Sequence, residues 1–147
     1  MKYLILMSII APFLCPCAAP ATEDCQYAIL KNVSKTYKVP YKLLVAVMMV
    51  ESKGNLTALN PFDGGSASVG AFQLKMNTAK AMGFHGKLQD LMDFHINAKY
   101  AAMYLKYQLD RYNGNWLKAT EAYNQGHYDG IFWSKYNQKI LYALGSF

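Results

Sequence analysis

The chain has 147 residues, 53% hydrophobic and 16% charged, enough for one domain with a single core and too few for two. Its net charge of +6 suits an anionic surface or polymer as partner. Arg111 is the sole arginine and the lysines are scattered, which argues against nucleic acid and leaves an ordinary basic surface as the plain alternative.

Residues 1–21 combine a positive charge at Lys2, an apolar run from Tyr3 to Leu14 broken by Ser8 and Pro12, and small residues ending at Ala19-Pro20-Ala21. This is the pattern of a secretory signal peptide. The apolar run is shorter than the roughly 20 residues a membrane-spanning helix needs, so we expect no stable span once the leader is removed. A single domain is expected over 22–147, exported to the periplasm or beyond. Cys15 and Cys17 raise lipidation, but Leu14 and Pro16 stand where that cleavage needs small residues. If both leave with the leader, Cys25 alone remains in an oxidising compartment, as a free or intermolecular thiol.

The spacing of Tyr27, Leu30, Val33 and Tyr37 predicts a first amphipathic helix over 24–37, with Asp24 as its cap. Pro40 suits the first turn of a second helix running to Lys53, with Gly54 as terminator. Leu43 to Val50 is apolar on every side, as expected of a central buried helix. Residues 54–70 read as a long glycine-containing loop, of a length usually kept for function. Asn77 is a cap candidate for a short helix to Met82. Asp93 is another, for the longest helix, with Ile96, Tyr100, Met103, Tyr104, Tyr107 and Arg111 as its stripe and Asn113-Gly114 as its end. A helix from Asn115 carries Trp116, Ala119, Thr120 and Tyr123 on one face, and a last one covers Ser134 to Leu144. Without a strong strand pattern, the fold is expected to be all-α or mainly α.

Glu51 is the residue that asks for an explanation, because the apolar run ending Val45-Ala46-Val47-Met48-Met49-Val50 leads straight into it. On the predicted helix it lies one turn above Val47 and Met48, so desolvation raises its pKa. The negative end of the helix dipole pushes the same way. Both effects favour the protonated carboxyl that a general acid needs. The plain alternative is an exposed last-turn glutamate paired with Lys53.

The chain's nine acids offer few partners for a two-carboxylate glycosidase. Asp63, in the loop after Glu51, is the one that can be placed near it, whereas Glu121 falls off its helix stripe and is expected in solvent. His85, His95 and His127 lack metal-ligand spacing, no serine sits in a nucleophile elbow, and Cys25 has no basic helper nearby in sequence. Neither a metal nor another cofactor is expected.

Three segments recur in order: Glu51-Ser52, Ser68-Val69-Gly70-Ala71-Phe72-Gln73, and Ala122-Tyr123-Asn124-Gln125-Gly126. Together with Ile96-Asn97 they resemble the soluble-type lytic transglycosylases, a family with a goose-lysozyme-like α+β fold, over Asp24 to Tyr136. Phe72 and Ala71 depart from the family's methionine and leucine. The resemblance implies that Glu51 is the sole acid/base. It would cleave the β-1,4 bond between N-acetylmuramic acid and N-acetylglucosamine in peptidoglycan strands, with formation of 1,6-anhydromuramoyl ends. Ser68, Gln73, Tyr123 and Asn124 would bind substrate, and the Tyr123 hydroxyl would orient Glu51.

The chain is most similar to small members that accompany envelope-spanning secretion systems, which implies such a secretion or conjugation apparatus as a partner. Those members pair a cysteine near the mature start with one before the Ile-Asn segment. Phe94-His95 stands there in this chain, so the resemblance implies a free Cys25. Two other readings stay open. One is a goose-type lysozyme that hydrolyses the same bond with Asp63 activating water; the other is a non-catalytic peptidoglycan-binding or assembly protein.

Overall fold

The computed structural model describes residues 22–146, as seven helices and one three-stranded sheet. The expected leader, 1–21, lies outside the described residues.

Helix α1 (Glu23–Tyr37) buries Leu30 and Val33. Its N-cap is Thr22 rather than Asp24, which instead sits in the first turn with Glu23, facing the positive end of the helix dipole. Cys25 is disulfide-bonded. The expectation of a free thiol is thereby corrected.

Helix α2 (Tyr41–Ser52) begins just after Pro40, and every residue from Leu43 to Met48 is buried. It is the central helix expected from its all-round apolar run. It ends at Lys53, whose φ of 56° turns the chain into the left-handed region one residue before Gly54.

The predicted loop at 54–70 is largely a sheet. Strands β1 (Leu59–Asp63), β2 (Ser66–Val69) and β3 (Leu74–Lys75) pair antiparallel in that order. Leu59 faces Val69, Ser68 faces Lys75, and the β1–β2 register shifts between Asn60 and Asp63. Gly64 and Gly65, with φ of 58° and 87°, make the two-residue hairpin turn. The strands escape a periodicity reading because β1 contains Pro61 and is exposed along most of its length, while β3 has two residues.

Helix α3 (Met76–Ala81) starts from Lys75, so Asn77 lies inside it instead of capping it, and a short helix α4 (Leu88–Leu91) follows that no pattern announced. Helix α5 (Phe94–Arg111) is capped by Asp93, whose Oδ1 accepts from the Ile96 N–H at 2.9 Å. Its deepest face is made of Ala98, Ala101, Ala102, Leu105 and Leu109, and the aromatic stripe read from the sequence runs along its flank. The alanines let α5 lie close against α1 and α6, which bulkier side chains would prevent.

Helix α6 (Trp116–Gln125) is capped by Asn115 and helix α7 (Lys135–Gly145) by Ser134, both as expected. Glu121 is fully buried rather than solvated, because α7 and its preceding residues cover the face that a helical wheel of α6 assigns to water.

The main core gathers α2 with the inner faces of α1, α5, α6 and α7. A second cluster of Val69, Leu74, Ala79, Phe84 and Leu91 supports the sheet. Among the described residues no helix is long and apolar enough to cross a membrane.

Candidate active site

The buried post of α2 ends at a cleft of about 310 Å³. Glu51 lies in its floor; Asp63 and Lys75 come from the sheet, Gln73 from the turn between β2 and β3, Tyr104 from α5, and Tyr123 and Asn124 from α6. The C-terminus of α2 is held in place by Ser52, whose hydroxyl donates to the Ala71 carbonyl at 2.7 Å.

The turn at 69–73 forms the adjoining wall and is fastened from three directions. Asn97, fully buried on α5, accepts from the Phe72 N–H and donates to the Val69 and Leu91 carbonyls, each at 3.0 Å. The Tyr123 hydroxyl donates to the Phe72 carbonyl at 3.0 Å. Gln73 takes a φ of 43°, and its Nε2 donates to the Ala58 and Gly70 carbonyls at 3.2 and 3.1 Å. Backbone groups with no ladder partner are therefore satisfied by side chains from distant elements.

This arrangement corrects two sequence expectations, those for Ser68 and for the Tyr123 hydroxyl. Ser68 is buried and absent from the cleft lining; its hydroxyl donates to Gln73 Oε1 at 3.2 Å, so it braces Gln73 from behind. Gln73 lines the cleft as expected, and both of its amide protons are donated to backbone carbonyls. Tyr123 also lines the cleft, yet its hydroxyl holds Phe72 instead of Glu51. Asn124 is exposed and lines the cleft.

The hydroxyl that reaches the acid is that of Tyr136, donating to Glu51 Oε1 at 2.6 Å across 85 residues of sequence. Sequence reasoning assigned Tyr136 no role. A signal existed, since Tyr136, Ile140 and Leu144 stand four residues apart on the inward face of the last helix.

Burial is the largest influence on Glu51 and raises its pKa from 4.5 to about 7. The Tyr136 hydrogen bond opposes this by stabilising the anion; Asp63 adds to the rise, while Lys139 and Lys75 pull it down. Asp63 is not a second isolated acid, for Lys75 Nζ lies 3.2 Å from its Oδ1. A carboxyl whose pKa is pushed up toward neutrality can both give and take a proton near pH 7.

The family model described as the transglycosylase SLT domain matches residues 28–143. That span takes in the end of α2, the braced turn, Asn97 and the Tyr136 contact, and the chain belongs to this family of peptidoglycan lytic transglycosylases.

Proposed function

We propose that the protein is an exported lytic transglycosylase in which Glu51 is the only acid/base. The Glu51 carboxyl donates its proton to the glycosidic oxygen between N-acetylmuramic acid and N-acetylglucosamine as the bond to the muramoyl C1 breaks. The substrate's acetamido group supports the oxocarbenium-like centre, so a second enzymic carboxylate is not required. The Glu51 carboxylate then takes the proton of the muramoyl C6 hydroxyl as that oxygen closes onto C1. Glu51 ends protonated, a 1,6-anhydromuramoyl end is formed, and water is not consumed. Asn124 meets the sugars on the open side of the cleft, and Gln73 and Tyr123 shape its walls. By the resemblance to the small secretion-associated members, the strands opened lie where a secretion or conjugation apparatus crosses the envelope.

The observation that carries this reading is one carboxyl, poised near pH 7 in the floor of a cleft, while the nearest other acid is engaged by a lysine. The hydrolytic alternative would recruit Asp63, which lines the same cleft, to activate water. Digestion of purified sacculi followed by mass spectrometry separates the two: anhydro products are lighter than hydrolytic ones by one water. Reducing-end products in place of anhydro ones would make the protein a goose-type lysozyme, and release of no soluble muropeptides would make it a binding or assembly protein.

The pH profile provides a further check. Because Glu51 must enter the reaction protonated, kcat/KM for a soluble glycan strand is expected to be level on the acid side of about pH 7. Above that it falls about tenfold per pH unit. A profile flat from pH 5 to 9 would mean that another group supplies the proton.

A further inference from the structure

Helix α6 carries a carboxylate that the reaction above does not use. Glu121 is fully buried two residues before Tyr123, and burying a carboxylate is tolerated only where donors surround it. Both oxygens are engaged: Gln125 Nε2 donates to Oε1 and the Ser134 hydroxyl donates to Oε2. Ser134 is at the same time the N-cap of α7, its oxygen accepting from the Asn137 N–H at 3.0 Å. A second tie runs parallel to the first. The Thr120 hydroxyl shares its one proton between the Trp116 carbonyl at 2.9 Å and Asn137 Oδ1 at 3.1 Å, and Asn137 Nδ2 donates to the Phe132 carbonyl at 3.1 Å.

Tyr136, the donor to Glu51, lies between the two tied residues on the first turn of α7. The chain linking α6 to α7 is exposed at nearly every position from Gly126 to Trp133, and its own anchors, at Gly126 and Tyr128, lie at its α6 end. Apolar packing on the main core runs along α7 through Tyr136, Ile140 and Leu144, and sets how deep the helix lies. That packing leaves the direction of the Tyr136 hydroxyl to the polar ties that fix the first turn against α6. Of these, the hydroxyl-to-carboxylate bond is the strong one, roughly twice a neutral hydrogen bond.

We propose that Glu121 is a positioning residue that, through Ser134, holds the Tyr136 hydroxyl against Glu51. The inference takes Glu51 as the acid of the proposed reaction, and it is tested in a way that does not need that reaction. The measurement is the Glu51 side-chain carboxyl titration, followed by carbon-13 NMR on the protein without substrate, in wild type, Glu121→Met, Glu121→Gln, Tyr136→Phe and the Glu121→Met/Tyr136→Phe double variant. Asp63, Lys75 and Lys139, the other charges that act on Glu51, are unchanged in all of them.

Tyr136→Phe removes a bond that favours the anion, so the Glu51 midpoint is expected to move up by about one pH unit. Glu121→Met keeps the volume but offers no acceptor, and should move the midpoint the same way, while the double variant titrates like Tyr136→Phe alone. Glu121→Gln retains an acceptor for Ser134 and should leave the midpoint at or below the wild-type value. If Glu121→Met does not fold, Ser134→Ala is read in its place with the same expectation. A wild-type midpoint in the clamp-breaking variant overturns the proposal, as does additivity with Tyr136→Phe or a Tyr136→Phe midpoint that does not move. Wild-type protein that releases nothing from sacculi would overturn the assigned reaction and leave these titrations as they are.

Discussion

Replacing Glu51 by glutamine is expected to lower the release of soluble muropeptides from sacculi by about 10³-fold, the order of contribution made by a positioned acid/base. The glutamine carbonyl can still accept from the Tyr136 hydroxyl, which now donates to Glu51 Oε1, so the loss isolates the transferable proton from the shape of the site. The variant should fold at least as well as wild type at pH 8. Glu51 titrates near 7 in the folded chain against an ordinary 4.5, so between those values the folded state holds the proton that the unfolded state has released. Stability consequently declines as pH rises through that window, and glutamine, uncharged throughout, escapes the loss. Thermal melting at pH 5 and pH 8 checks this: the gap in favour of Glu51→Gln should widen at the higher pH. A variant that releases as much as wild type would remove Glu51 from the chemistry.

The second large effect falls on stability. Gly70 has a φ of 74°, and a Cβ built there would lie 2.6 Å from the side-chain carbon and nitrogen of Asn97. Gly70→Ala therefore imposes backbone strain and also displaces the buried amide that fastens the Phe72 N–H and the Val69 and Leu91 carbonyls. We expect a loss of about 3 kcal/mol, seen as a melting temperature lowered by roughly 10 °C. Asn97→Ala should cost a comparable amount by leaving those backbone groups unsatisfied. Since the clash is with Asn97 itself, the two changes together should cost clearly less than their sum. Additivity in denaturant unfolding would show that the two residues do not share one strained contact. Activity should fall with stability in both variants, because the same turn walls the cleft beside Glu51.

Much of this architecture was legible along the chain because the forces that specify it are local. Asp93, Asn115 and Ser134 cap their helices through bonds to residues three further on, a distance that a sequence window contains. The unbroken apolar run of α2 could lie only in a core, and an acid at its end could lie only at the core's margin; the floor of the cleft is where Glu51 is found. The ordered motifs pointed to the family that the match over residues 28–143 then identified.

What stayed hidden depends on contacts between distant segments. The sheet is held by a ladder between short strands with little burial pattern of their own, and only the Gly64-Gly65 turn marked it locally. Glu121 looks like a solvent residue on an isolated helical wheel and is buried only because α7 covers it.

By itself, then, the sequence determined the longer helices, the caps at Asp93, Asn115 and Ser134, the central position of α2 and the candidate acid. Each of these follows from backbone propensity or from the cost of exposing apolar surface, and both act over a few residues. Only the tertiary structure decided which hydroxyl meets that acid, choosing Tyr136 and turning Tyr123 to the Phe72 carbonyl. It also decided that Ser68 braces the wall from behind and that Asp63 faces Lys75. A hydrogen bond is made or lost within a few tenths of an ångström, and packing of elements far apart in sequence sets positions on that scale.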